Sequence, residues 1–340
     1  MTSRLGHWLR DPLFLLGLTA GLLAFVVQSG ELGTADTMHR LQTTHWLWTS
    51  QPQVFPNEYP EFGLPGRGGQ IFSWYGIGQS LLMLPADLVS TWVSHWRVFS
   101  DYEDDPAVRS ILVSYSTSIL VNVLSALIAF RLLRQLRFSV NETVAGVLAL
   151  LFCTTHLHYT QNMQENNYIL LLTLTGFSYQ YEWLRSGSVR PLFIGSMALG
   201  LNLLTRLTTG LDLMAGGVFL LILLWFEPAQ DRALWRRFLD YCKVAAPVYA
   251  FFLVIERVYN FYRFGTWTGT YLPIFARVSR QQDPTCPQTF PGARLFMKVF
   301  SARSSSRRSR SCCSILSSCS RSCCWFCCGS SLRRKSAPMR

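Results

Sequence analysis

The sequence predicts an all-α fold: a polytopic bundle of about seven membrane-crossing helices, with an interfacial or re-entrant segment and a long first external loop. Three observations carry this expectation. Of 340 residues, 49% are apolar and only 15% charged, whereas soluble domains carry about 25% charged residues. Residues 13–28, 110–130, 142–159, 167–184, 191–205, 211–226 and 244–259 are apolar runs. Each is close to the ~20 residues a helix needs to cross ~30 Å of hydrocarbon. Between the runs, basic residues alternate in the way expected when Lys and Arg stay on the cytoplasmic side of short loops.

The first run follows the basic flank MTSRLGHWLR. That flank suits a signal peptide, but no small-residue cleavage site follows it and further spans do, so the run reads as an uncleaved anchor rather than a cleaved signal. Residues 29–70 form the longest polar loop before the tail, and 29–109 as a whole is assigned to the external side with interfacial helices. In 36–48, DTMHRLQTTHWLW, Met38, Leu41, His45 and Trp48 share one helical face, the spacing of a helix lying in the interface. Asp36 opens this helix and has two readings. It either caps the first turn or serves as a general base at the lipid boundary. Glu31 is a second acid in the loop, placed to support Asp36 or to face water, while His39 and His45 read as interfacial packing.

The next stretch, GRGGQIFSWYGIGQSLLMLP at 66–85, puts Gly76, Gly78, Gln79 and Pro85 where a spanning helix prefers Leu. Basic residues place the N-terminus (Arg4, Arg10), 131–137, Arg185 with Arg190, and 232–243 in the cytoplasm; 160–166, 206–210 and everything beyond about 260 fall outside. This alternation requires 71–96 to begin and end outside. It therefore dips into the outer leaflet and returns, or lies along it, since irregular backbone at that depth needs protein or a wet cavity to supply its hydrogen bonds. The alternative is an ordinary kinked span. Arg67, in PGRGG, either reaches the interface or meets an anion in a flexible backbone cradle. DYEDD at 101–105 could hold Mg²⁺ or Mn²⁺, although an acidic external turn is more commonly just solvated; no residue is assigned as a metal ligand.

HLHYTQNMQE closes the 142–159 run externally. His156 and His158 are two apart, so on a helix they point in different directions and make a poor metal pair. Glu165 follows as a supporting acid. Arg206, in LLTRLTTG, sits at the outer end of a span, where an arginine costs energy unless it snorkels or meets an anion. Asp212 is an acid near the end of a run. Asn141 lies in a formal glycosylation sequon, but the charge pattern puts it in the cytoplasm. There is no internal repeat.

Residues 303–340 hold nine of the 31 Lys and Arg, none of the 19 Asp and Glu, and seven of the ten Cys. Without them the net charge of +12 shrinks to +3, so nucleic acid is not an expected partner. The pair Cys324 and Cys327 is a lone C-x-x-C with no second pair and no His, a weak signal for zinc or redox chemistry. A one-base shift in a G+C-rich gene turns Leu codons into Cys, Trp or Ser and Ala codons into Arg. That shift explains the composition of 301–340 better than any function, and the tail is expected to be out of frame and disordered.

An uncleaved first span, a long external loop with an early Asp, then GRGGQIFSWYGIGQSLLMLP, LTRLTTG and VYNFYRFGTWTGTY together resemble the multi-spanning glycosyltransferases of the GT-C superfamily. The likeness, over nearly all of 1–300, is to bacterial members related to the dolichyl-phosphate-mannose protein mannosyltransferases and the lipid A aminoarabinose transferases. The resemblance implies a multi-pass protein of the bacterial inner membrane that moves a hexosyl or pentosyl group from a polyprenyl-phosphate donor to a carbohydrate, lipid or protein acceptor on the external face. By position Asp36 matches the catalytic base, with Glu31 beside it; the family often shows two adjacent acids here, and this chain has one Asp with Glu31 five residues earlier. Arg206, Arg67 and Arg40 would bind the donor phosphate. Tyr75, Glu165 and His158 would contact the acceptor or support those residues. Mg²⁺ or Mn²⁺ is the candidate cofactor, with none assigned. A chain whose frame shifts near residue 300 would lack the family's C-terminal part, which puts the activity of this form in question. Two other classes fit the same features: a transporter or lipid-carrier flippase that binds without bond making, and a structural subunit, which the aromatic-rich external loop argues against.

Overall fold

The computed structural model describes residues 11–282 apart from 31, 60, 97, 99–105 and 227–230. Glu31, the DYEDD turn and the 301–340 tail lie outside the described residues. The chain up to Val278 forms one unit; a second begins at Ser279, and only its first four residues are described.

The fold is all-α apart from one two-stranded hairpin. Helix α1 (Pro12–Val27) starts where Asp11 accepts a hydrogen bond from the Leu13 amide at 3.0 Å and Pro12 supplies a ready-set φ. Helix α2 (Ala35–Trp46) follows in the long segment between α1 and α4. Strands β1 (Leu64–Pro65) and β2 (Ile71–Phe72) pair antiparallel, Leu64 opposite Phe72, around a turn in which Gly68 and Gly69 have φ of 68° and 75°. Helix α3 (Gly78–Ser94) carries Pro85 within it. The main bundle comprises α4 (Pro106–Gln135), α5 (Val140–Cys153), α6 (His156–Gln161), α7 (Glu165–Ser186), α8 (Val189–Thr205), α9 (Gly210–Phe226) and α10 (Asp231–Phe264), and α11 (Leu272–Gln282) ends the described chain.

Each apolar run is helical, with one division. The 142–159 run breaks at Thr154 and Thr155 into α5 and α6. Two helical stretches are long and apolar enough to cross a membrane, Val108–Gln135 in α4 and Arg236–Phe264 in α10; α1, α5, α8 and most of α9 are apolar but shorter. At about 1.5 Å per residue, the 16 residues of α1 reach only about 24 Å. Helix α7, at 22 residues, is long enough but carries Asn, Gln and Tyr along its length.

Helix α1 packs on α4, α4 on α7, α7 on α8, and α8 on α10, while α2 packs on α3 and α3 on α4. One core joins α1, α4 and α5 through Leu16, Ala20, Ala126, Phe130 and Leu151. Another runs from Leu41 on α2 and Met83 on α3 to Val113, Met163 and Tyr168. Small residues allow the closest approaches: a Cβ on Gly195 of α8 would come within 2.9 Å of the Gly176 carbonyl on α7. The interior also holds many polar groups, among them Asn122, Ser178, Gln180, Ser196 and Asn202, all buried. Asp212 accepts from Thr173 Oγ1 at 3.0 Å and Asn202 Nδ2 at 3.3 Å, joining α9 to α7 and α8. The outside is apolar: Val26 is 78% exposed, Met214 68% and Val254 59%.

Gly76, Gly78 and Pro85 take a different form from a broken helix. Gly76 and Gly78 have no left-handed φ, and α3 runs through Pro85. The two glycines are contact surfaces: a Cβ on either would overlap the Leu204 and Thr205 backbone at the end of α8. They seat the start of α3 directly against the turn that carries Arg206.

Candidate functional site

Thr34, not Asp36, caps α2; its hydroxyl accepts from the Thr37 amide at 3.3 Å. That leaves the Asp36 carboxylate, exposed in the first turn, free for another partner, in a position the helix dipole favours for an anion. The partner is Tyr75, whose phenol donates to Asp36 Oδ1. Burial first, and the Asp36 carboxylate second, push the Tyr75 phenol well above its ordinary pKa, so it stays a donor.

Tyr75 lies between β2 and α3. Its carbonyl accepts at 3.0 Å from Nη1 of Arg263, near the end of α10, and the same nitrogen donates to the Ser73 carbonyl. Its ring carries the Arg40 guanidinium at 4.3 Å, one turn after Asp36 on α2. Arg40 is 3% exposed and donates from Nη2 to Glu165 Oε2 at 2.6 Å, at the start of α7. Glu165 Oε1 in turn receives Arg206 Nη1 at 3.4 Å. The Arg206 side chain is 56% exposed, so much of its guanidinium faces solvent. Asp36, Tyr75, Arg40, Glu165 and Arg206 therefore form one continuous polar chain built from four separated segments.

The frame beneath it is tight. Ser80 Oγ on α3 donates to the Arg40 carbonyl at 2.8 Å. Gln79 Nε2 donates at 3.2 Å to the carbonyl of Met163, which precedes Glu165 and holds a left-handed φ of 48°. Such a conformation costs about 1–3 kcal/mol outside glycine, and the surrounding bonds, with Met163 itself buried, hold it in place.

Two of the expected site residues stay apart. Arg67, at the hairpin turn, lies over the Phe261 ring at 5.0 Å with its stem against Gly265. His158 is exposed beside Tyr159, ring centroids 5.6 Å apart. Neither shares a bond with the Asp36 chain.

Sequence reasoning gave no role to Arg263 or Asp87. Arg263 is an arginine at the end of an apolar helix, and that was the available signal. Asp87 is fully buried on α3; its Oδ2 accepts from Trp48 Nε1 at 2.8 Å and lies 3.0 Å from His45 Nδ1, while Oδ1 is 3.4 Å from Arg109 Nε. This cluster braces α2 against α3 and α4. A charged residue inside the apolar pattern LLMLPADLV was its signal. Among the described residues no three His, Cys, Asp or Glu converge as a metal site.

The arrangement provides an exposed carboxylate with one oxygen held by a phenol and a half-exposed guanidinium positioned by a buried acid. Such a pair can take a proton from a hydroxyl and bind an anion. No family model, curated protein or solved structure matches the chain.

Proposed function

We propose that the chain is a multi-pass protein of the bacterial inner membrane, a glycosyltransferase that moves a sugar from a polyprenyl-phosphate donor to an acceptor hydroxyl on the external face. The observation that carries this reading is the convergence of Asp36, Tyr75, Arg40, Glu165 and Arg206 at one end of the bundle. The apolar exterior and polar interior support the membrane assignment, because lipid reverses the usual preference of surface and core.

In this reading Asp36 takes the proton of the acceptor hydroxyl. The acceptor oxygen then bonds to the anomeric carbon while the bond from that carbon to the phosphate oxygen breaks. The phosphate leaves with the electron pair and is already ionised, so little acid catalysis is needed. Its growing charge is met by the exposed face of Arg206, which Glu165 holds in place, with the Arg40 cation behind it.

The test is sugar release from a radiolabelled polyprenyl-phosphate sugar in membranes carrying the gene with its frame restored beyond residue 300. Transfer is expected, and Asp36→Asn should reduce it by at least a hundredfold with insertion unchanged. An active Asp36→Asn protein removes Asp36 from the role. Binding and transbilayer movement of the donor without release would favour the flippase reading.

A further inference from the structure

At the far end of α2 from Asp36 lies a cavity of about 420 Å³, lined by Trp46, Tyr59 and Phe72 together with Gln51, Gln53 and Gln70. We propose that it is a binding site for a neutral saccharide. The argument does not rest on sugar transfer at Asp36: Trp46 is ten residues along the helix, about 15 Å away.

The lining selects the ligand class. Among the described residues no charged side chain lines the cavity, so the lining does not select for a phosphate or a carboxylate. Its aromatic rings offer flat apolar faces, which the C–H faces of a sugar ring cover well. Around them the side-chain amides of Gln51 and Gln70, the Ser50 hydroxyl and the Trp46 indole N–H have no hydrogen-bond partner among the described residues. Each amide can both donate and accept, as can every sugar hydroxyl. An acyl chain in the same space would cover these groups without satisfying them. The volume falls in the range of about 300–1,000 Å³ usual for small-molecule pockets.

The back wall is fixed. Gln53 is 2% exposed; its Oε1 accepts from the Ser73 amide at 3.2 Å and its Nε2 donates to Tyr259 Oη at 3.3 Å. The front is open, with Tyr59 39% exposed. A fixed polar floor and an exposed aromatic ring at the mouth suit ligands that share a ring shape and differ in substituents.

The experiment is isothermal titration calorimetry of the detergent-solubilised full chain with cellotetraose, maltotetraose and chitotetraose. An oligogalacturonate of the same length, dodecanol and a polyproline peptide serve as competitors of other classes. Trp46→Ala is a poor probe because Trp46 also packs against the core of Ile77 and Leu204; the exposed Tyr59 and Gln70 are better. At least one neutral oligosaccharide should bind, at least tenfold more tightly than the acidic one. Tyr59→Ala and Gln70→Ala should each weaken it about tenfold, and Asp36→Asn should leave it unchanged, which separates this site from the transfer reaction. No binding by any neutral probe, equal binding in the Tyr59→Ala and Gln70→Ala proteins, or preferential binding of dodecanol or the peptide would overturn the proposal.

Discussion

Glu165→Gln removes the only carboxylate that Arg40 touches among the described residues. The substitution keeps the shape and one carbonyl acceptor but leaves a cation, 3% exposed, with only the Tyr75 ring and a neutral amide for company. Breaking a buried ion pair from one side costs about 3–5 kcal/mol, and the retained acceptor puts this case at about 3 kcal/mol. Arg40→Met is the milder change. It removes the buried charge itself, while Glu165 keeps Arg206 at 3.4 Å and some access to water; the expected loss is about 1–2 kcal/mol. At about 2–4 °C per kcal/mol for a chain of this order of size, Tm should fall by about 6–12 °C for Glu165→Gln and about 2–8 °C for Arg40→Met. The double variant has neither charge and should be at least about 1 kcal/mol less destabilised than the sum. Thermal unfolding of the detergent-solubilised chain, followed by circular dichroism at one heating rate, makes the comparison. If Arg40→Met is as damaging as Glu165→Gln, or if the two effects simply add, the two-armed arrangement around Glu165 is wrong.

Gly78→Ala should destabilise by about 1–3 kcal/mol, because the added methyl meets the Thr205 backbone. Gly217→Ala, in α9 with open space around it, should stabilise by about 0.5–1 kcal/mol; paired melting curves check both. The Tyr75 phenol should titrate above free tyrosine in an ultraviolet difference titration of wild type against Tyr75→Phe. Asp36→Asn should lower that value without restoring the ordinary one, because burial remains. Since the folded state favours the neutral phenol, Tyr75 contributes stability fully below about pH 10 and loses it as pH rises through the raised value. Asp87→Ala should cost about 3–5 kcal/mol by leaving Arg109 and His45 without their acid, and Asp87→Asn less; the fraction of protein surviving mild heating in detergent ranks them.

The helices were legible because their signal is local. Apolar runs of a given length report helices whatever packs against them, and α1, α4, α7, α8, α9 and α10 sit on the expected runs. The break at Thr154 and Thr155 was not legible, since neither residue forbids a helix. Of the two readings of Asp36, the cap falls to Thr34 instead, whose extended backbone and hydroxyl fit the first turn. Five of the site residues expected from sequence meet in one chain of contacts, while Arg67 and His158 do not. Residue type and position mark an arginine at a helix end as worth explaining, but they do not say what it will touch.

Composition and run length alone pointed to a helical, apolar-rich chain whose net positive charge lies mainly in its last 40 residues. Tertiary structure decided the rest, because the decisive contacts join residues far apart in the chain. Arg40 reaches Glu165 across 125 positions and Arg263 reaches Tyr75 across 188. Gly78 became a seat for Thr205 rather than a break in a helix. No local pattern encodes those meetings; they follow from which helix faces must be buried together, and that is settled only when all the helices pack at once.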